Sequence, residues 1–342
     1  MSQALSGPSF RSRMRRLFVP NLVAELNSAE RRILAELGSL ANRVQALEGL
    51  SQTTATRIGN SEQVIRALQN LTTGLQNELQ LEFQRLRRGA EGEGANERAA
   101  ALYLDLLEGV LTGALTGDGA QSSVGIQPYD ELRRSLGRDW PAAAEKMIGR
   151  VRMRNLRNLV ERALQLGVKG DFIETGVWRG GACIYVKAIF EALGEQSRKV
   201  FVADSFRGLP PPDGSLYPAD AGDTHFTYPE LAVSREAVEA NFRRYGLLDD
   251  QVVFIEGWFK ESLPSAPVEK LCVLRLDGDL YESTIVALDA LYHKVSPGGF
   301  VIVDDYLLAP CAQAVTDFRS KQRISEPLQE VDGAAVWWQV PS

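Results

Sequence analysis

Two apolar runs break off on aspartates: Leu274-Arg275-Leu276-Asp277-Gly278-Asp279 and Val301-Ile302-Val303-Asp304-Asp305-Tyr306. Runs of this length read as buried parallel strands. In an open α/β sheet, ligands bind outside the carboxyl ends of the strands. The chain between Asp277 and Asp304 is long enough for a helix and a return strand. If the two strands are neighbours, Asp277, Asp304 and Asp305 meet at one edge. Three hard oxygen donors with no nearby His or Cys cluster suit Mg²⁺, Mn²⁺ or Ca²⁺ rather than zinc. Asp279 stands beside that cluster as a spare base. A single aspartate at a strand end more often caps a helix or joins a surface ion pair. Four at two strand ends favour a metal site.

A second set of signals lies upstream. Asp171-Phe172-Ile173-Glu174-Thr175-Gly176-Val177-Trp178-Arg179-Gly180-Gly181 reads as a strand, a glycine turn and a helix start. It is not G-x-G-x-x-G, so a dinucleotide pyrophosphate fits poorly. The next strand ends on Asp204, and an acidic residue there can accept ribose hydroxyls. Glu256-Gly257-Trp258-Phe259 ends a third strand, with a glycine and an aromatic suited to an adenine ring; Trp258 as core packing is an equal expectation. The combination suits a nucleoside such as the adenosine of S-adenosylmethionine. The Pro-, Asp- and Gly-rich segment from Pro210 to His225 is expected to cover the cleft as a lid.

These residues need elements to carry them. Strands are expected at 171–175, 199–204, 252–256, 270–276 and 299–303. Helices are expected at 141–166, 180–193, 229–245, 282–293 and 310–322. The alternation predicts an α/β, doubly wound, mainly parallel sheet. Two last strands, 327–331 and 334–340, flank Asp332-Gly333 and predict a hairpin, with an antiparallel strand at or near the sheet edge. Upstream, residues 1–20 form a flexible basic leader with Arg11, Arg13, Arg15 and Arg16. Residues 21–88 lack an interior proline and carry aliphatic residues at 4-3 spacing, from Ile33 to Leu47 and from Ile58 to Leu86. That spacing predicts a coiled coil, softened at its centre by Ser51, Thr54, Ser61 and Thr72 and by Gly59 and Gly74. Residues 89–126 read as a linker with a short helix at 98–115, and residues 127–342 as the catalytic domain.

Composition sets bounds. The chain of 342 residues is 44% hydrophobic and 24% charged, as a globular protein is, and its net charge of −6 gives no support for a nucleic-acid partner. No apolar stretch reaches the roughly 18 residues of a membrane span. Cys183, Cys272 and Cys311 have no metal spacing, and Cys183 and Cys272 lie in apolar runs, which points to a reducing, cytoplasmic setting.

Taken together, the motifs resemble the macrocin O-methyltransferase (TylF-like) family. The resemblance rests on Asp139-Trp140-Pro141, Met147-Ile148-Gly149, Ile173 through Cys183, Ala203 through Pro210, Tyr245 through Val252, Leu274 through Thr284 and Ser296 through Tyr306. It implies a Rossmann-like class I methyltransferase sheet with flanking helices, here preceded by a coiled-coil helix. It implies S-adenosylmethionine and a divalent metal, Mg²⁺ or another such as Mn²⁺, and methylation of a sugar hydroxyl on a glycosylated metabolite or glycan. By the resemblance, Asp277, Asp304 and Asp305 bind the metal and Asp279 is the general base. Glu174, Thr175, Gly176, Asp204, Ser205, Gly257 and Trp258 line the cofactor site, and Met147 approaches it from a helical lid.

The chain departs from the pattern in its N-terminal extension, whose partners cannot be inherited, and in Tyr292-His293-Lys294, where Tyr-Pro-Lys is usual. His293 is expected at the surface. His225 lies in the covering loop within reach of substrate, although a bystander role is the expectation. The coiled coil is expected to make a homo-oligomer. Two other readings stay open: a phenol- or catechol-type acceptor, and a coiled-coil scaffold with an inactive methyltransferase-like domain.

Overall fold

The computed structural model describes residues 95–341. The basic leader and the heptad segment lie outside the described residues. In chain order the described elements are α1 (Ala95–Leu111), β1 (Ala120–Gln121), α2 (Glu131–Ser135), β2 (Trp140–Pro141), α3 (Gly149–Gln165), β3 (Asp171–Thr175), α4 (Gly181–Ala192), β4 (Val200–Asp204), α5 (Arg235–Arg244), β5 (Val252–Glu256), α6 (Phe259–Ser262), β6 (Leu271–Leu276), α7 (Tyr281–Leu291), β7 (Val295–Val303), α8 (Ala309–Gln322), β8 (Gln329–Glu330) and β9 (Val336–Gln339). Among them no helix is long and apolar enough to cross a membrane.

Seven strands make one sheet in the order β5-β4-β3-β6-β7-β9-β8. From β5 to β7 all pairs are parallel; β9 runs antiparallel to β7, and β8 antiparallel to β9. The expected hairpin is present, with its inner strand inserted beside β7. Strand side chains alternate between faces. Phe172, Val200 and Val202 face a layer built with α1, α3, α4 and α5, while Ile173, Phe201 and Ala203 face α7 and α8. Both layers are apolar, so the strands read as nearly continuous hydrophobic runs. Cys183, Cys272 and Cys311 are all buried free thiols.

Helix α1 answers the short helix expected at 98–115, and it is more than part of a linker. Its Leu104, Leu107 and Leu111 are buried in the first layer. Each such burial is worth about 1.5–3 kcal/mol, enough to hold the helix as part of the folded body.

Two helices begin later than the sequence pattern predicts. The one expected at 141–166 starts at Gly149, because the N–H groups before it are committed elsewhere. Ala143 and Ala144 donate to the Asp118 carboxylate, both at 2.9 Å, and Lys146 donates to the Leu111 carbonyl at 3.0 Å. Gly149 then turns at φ +77°, and a Cβ there would stand 2.3 Å from the Gly137 nitrogen. The helix expected at 229–245 begins at Arg235, where Ser234 Oγ accepts from the Ala237 N–H and caps it. Residues 205–234 instead form an irregular segment with three short 3₁₀ turns, at Pro218–Asp220, His225–Thr227 and Pro229–Leu231.

Candidate active site

The sheet's hydrogen-bond ladder runs one residue past several strands. Gly176 N–H donates to Ala203 O, Asp277 N–H to Thr175 O and Asp304 N–H to Leu276 O, each at 2.8 Å. The strand-end residues are thereby held in fixed register, and Asp277, Asp304 and Asp305 do meet at one edge. Each offers a carboxylate oxygen, and these oxygens lie within 4.8 Å of one another. Asp279 follows at φ +58°, a left-handed conformation that Asp tolerates better than most side chains. Its N–H donates to Asp305 Oδ2 at 3.1 Å.

The acidic edge rests on buried cations that the sequence pattern did not single out. Lys146 Nζ reaches Glu174 at 3.0 Å and Asp277 at 2.7 Å. Arg275, one residue before the end of β6 and 1% exposed, pairs with Glu174, Asp277 and Asp304. Arg152 pairs with Asp304 and, at 2.7 Å, with Asp332. Three cations thus serve four carboxylates. The other two carboxylates of the cluster, Asp279 and Asp305, make no ion pair among the described residues. The legible signal was Arg275 itself: an arginine inside an apolar strand requires buried carboxylate partners.

These charges set the protonation of the edge. Burial alone would raise the Asp277 carboxyl, but the Lys146 and Arg275 charges outweigh it and hold it well below the usual range. Burial would lower the Lys146 ammonium, yet Asp277 and Glu174 push it up to about 12. Asp279 moves the other way, raised to about 7 by burial and then by the charge of Asp277. Asp305 is pushed well above its ordinary value by burial and by Asp279 and Asp277. A pair of carboxylates crowded together without a counter-ion, beside two others at hard-ligand spacing, fits a divalent cation.

A cavity of about 670 Å³ opens over the strand ends. Its wall includes Met147, Gly176, Asp204, Ser205 and Trp258 as well as Asp277, Asp279, Asp304 and Asp305. Glu174, Thr175 and Gly257 do not line the cavity, and the first two are buried beside it. Glu174 is fully buried, held by Lys146 and Arg275 and accepting from the Cys183 thiol at 3.0 Å. Gly257, at φ +131°, turns the chain so that Trp258 reaches the cavity. Met147 lies in the non-helical stretch before α3 rather than on a helical lid. Asp204 accepts N–H groups from Val177 at 2.7 Å and Phe206 at 2.8 Å. The Ser205 hydroxyl lies 3.4 Å from Oδ1, and the Trp178 N–H adds a further backbone donor to this buried carboxylate. Ser205 Oγ donates to Gly208 O at 2.6 Å and accepts from Arg207 N–H.

The segment from Pro210 to His225, expected to cover the cleft, contributes Pro210, Pro211, Asp213 and His225 to the cavity wall, and the chain around it is tied down at Asp220 and at Glu230. Asp220, 1% exposed, accepts from Tyr281 N–H at 2.6 Å and Glu282 N–H at 2.9 Å, capping α7 from outside. Trp178 Nε1 donates to Glu230 O at 2.9 Å. His293 is exposed, as expected.

A sheet of this strand order, with one antiparallel strand inserted near its edge and a cavity over the parallel strand ends, is a class I methyltransferase fold. The chain matches the macrocin-O-methyltransferase (TylF) family over residues 100–340, and it belongs to that family. It is 50% identical over 71% of its length to a Streptomyces olivaceus 8-demethyl-8-(2,3-dimethoxy-α-L-rhamnosyl)-tetracenomycin-C 4'-O-methyltransferase, of which 94% is covered. It is 49% identical over 70% of its length to demethyldecarbamoylnovobiocin O-methyltransferase of Streptomyces niveus, again with 94% covered. To mycinamicin III 3''-O-methyltransferase of Micromonospora griseorubida it is 44% identical, over 69% of this chain and 95% of that one. The solved structure of the O-methyltransferase NovP is 48% identical, with a TM-score of 0.69 over 71% of this chain and all of that one. The protein is an S-adenosylmethionine-dependent O-methyltransferase.

Proposed function

We propose that the enzyme methylates a sugar hydroxyl on a glycosylated natural product. In this reading Asp277, Asp304 and Asp305 hold a divalent cation, Mg²⁺ or Mn²⁺, and Asp279 is the general base. Met147, Gly176, Asp204, Ser205 and Trp258 receive S-adenosylmethionine, with Glu174, Thr175 and Gly257 supporting them. The observation that carries the reading is the juxtaposition of an unpaired carboxylate, Asp279, with a three-carboxylate cluster in one cavity. Relatives named for sugar O-methylation support the acceptor class.

An alcohol is a poor nucleophile at neutral pH. S-adenosylmethionine would supply an electrophilic methyl group, and a bound cation would lower the pKa of the acceptor hydroxyl and fix it. Asp279 then takes the hydroxyl proton, and the left-handed turn at its backbone aims its carboxylate beside the cluster. Lys146 and Arg275 keep Asp277 ionised, so it remains an acceptor and does not compete for that proton. The walls of the cavity align donor and acceptor; alignment of this kind is worth up to about 7–11 kcal/mol.

The test combines binding and turnover. Calorimetric titration with S-adenosylmethionine, with and without Mg²⁺, is followed by methyl transfer to the rhamnosyl tetracenomycin, to demethyldecarbamoylnovobiocin, to mycinamicin III and to a catechol. Metal-dependent methylation of a glycoside is the expected result. Methylation of the catechol alone would overturn the acceptor class, and undiminished turnover in chelator would overturn the metal. Homo-oligomerisation through the heptad segment is tested separately, by removing residues 1–97 and measuring mass in solution.

A further inference from the structure

His225 takes no part in the chemistry described so far, yet it lines the same cavity as Asp279. Its placement is built. Asp220 latches the covering segment to the N-terminus of α7, directly after Asp279. Three residues on, Asp223 grips His225 twice: Oδ1 accepts the His225 backbone N–H at 2.8 Å, and Oδ2 lies 2.7 Å from Nδ1. The ring meets Tyr228 edge-on, centroids 5.6 Å apart, and Tyr228 in turn meets Trp140 at 6.1 Å. The imidazole is thus fixed in orientation before any ligand arrives.

Nδ1 faces a carboxylate, which accepts, so Nδ1 carries the hydrogen. Nε2 has no hydrogen-bond partner among the described residues, and the side chain is 34% exposed. The His225–Asp223 pair also lies within electrostatic reach of Asp279, His225 drawing its acidity up and Asp223 opposing it. In the neutral ring Nε2 accepts a hydrogen bond; in the charged ring it donates. A hydroxyl can answer either, because it is both donor and acceptor.

We propose that His225, oriented by Asp223, is an acceptor-binding residue whose Nε2 hydrogen-bonds a hydroxyl neighbouring the one that is methylated. This rests on the sugar reading above. It gives the enzyme a second point of contact with a polyhydroxylated ring, in the same cavity as the carboxylate edge, and so selects which hydroxyl is presented to Asp279.

The experiment uses the full chain and whichever of the three named glycosides it methylates. His225→Ala is expected to raise the acceptor KM by about tenfold, the loss of one buried hydrogen bond, and to leave the S-adenosylmethionine dissociation constant within about twofold. His225→Gln, which keeps a polar group near Nε2, recovers part of the loss, and Asp223→Ala reproduces it in smaller degree. A deoxy analogue lacking the neighbouring hydroxyl weakens binding to the wild type and costs His225→Ala nothing further. An unchanged acceptor KM in folded His225→Ala overturns the inference, as does an equal response of both proteins to the deoxy analogue. If the wild type methylates none of the glycosides, the sugar reading itself fails and takes this inference with it.

Discussion

A Cβ added to Gly176 would stand 1.6 Å from the carbonyl oxygen of Asp277. The turn after β3 and the acidic end of β6 therefore touch backbone to backbone, and the half of the cavity proposed for the cofactor shares a wall with the carboxylate half. Gly176→Ala must push the two strand ends apart and also take up φ +87° with a side chain. It is expected to cost about 3 kcal/mol of stability. Both S-adenosylmethionine affinity and metal affinity should fall with it. Denaturant unfolding and calorimetry on the variant check this; native stability would contradict the close approach.

Arg275 carries the network beneath the edge. Arg275→Met leaves Glu174, Asp277 and Asp304 with one cation fewer in a buried setting. Breaking such a network by removing one partner typically costs about 3–5 kcal/mol. The midpoint of urea unfolding should drop accordingly, with the slope unchanged. A loss under about 1 kcal/mol would show that water reaches these carboxylates.

Asp279→Asn keeps the shape of the side chain and removes the proposed base. Turnover is expected to fall by about 10²–10⁴-fold, while the S-adenosylmethionine dissociation constant stays put. Steady-state rates beside calorimetric titration separate the two. Full activity would remove Asp279 from the mechanism.

The acidic edge also dictates a pH response. An unfolded aspartate titrates near about 3.9, whereas folded Asp279 is raised to about 7 and Asp305 is raised as well. The folded protein therefore holds protons that the unfolded chain has released, so these two groups lower stability as pH rises from about 4 through 7. Asp277 acts oppositely: its depressed folded value contributes stability above about 4, lost as pH falls further. In chelator, the thermal midpoint should be lower at pH 8 than at pH 6. Saturating Mg²⁺ should recover most of the difference, because a cation replaces the missing counter-charge. A midpoint in chelator that is flat or rising over this range, with no gain from Mg²⁺, would refute the assignment.

Much of this was legible because the strands are buried on both faces. A run such as Val301-Ile302-Val303 has few alternatives to an interior parallel strand, and the aspartates mark where it stops. The helix starts were less legible because long-range partners decide them. Nothing local announces that Asp118 will take the N–H groups of Ala143 and Ala144, or that Ser234 rather than Pro229 opens α5. The cations were missed for a related reason. Lys146 and Arg152 lie far in sequence from the carboxylates they serve, and only the fold brings them together.

The cap that Asp220 places on α7 crosses 61 residues of sequence. It makes the covering segment a cartridge with a defined socket. Stretches on either side of Asp220 are expected to accept exchange for those of a related methyltransferase, provided the capping aspartate and the Trp178–Glu230 contact keep their places. Acceptor range is thus expected to be exchangeable by loop grafting that retains two anchors, the Asp220 cap and the Trp178–Glu230 hydrogen bond.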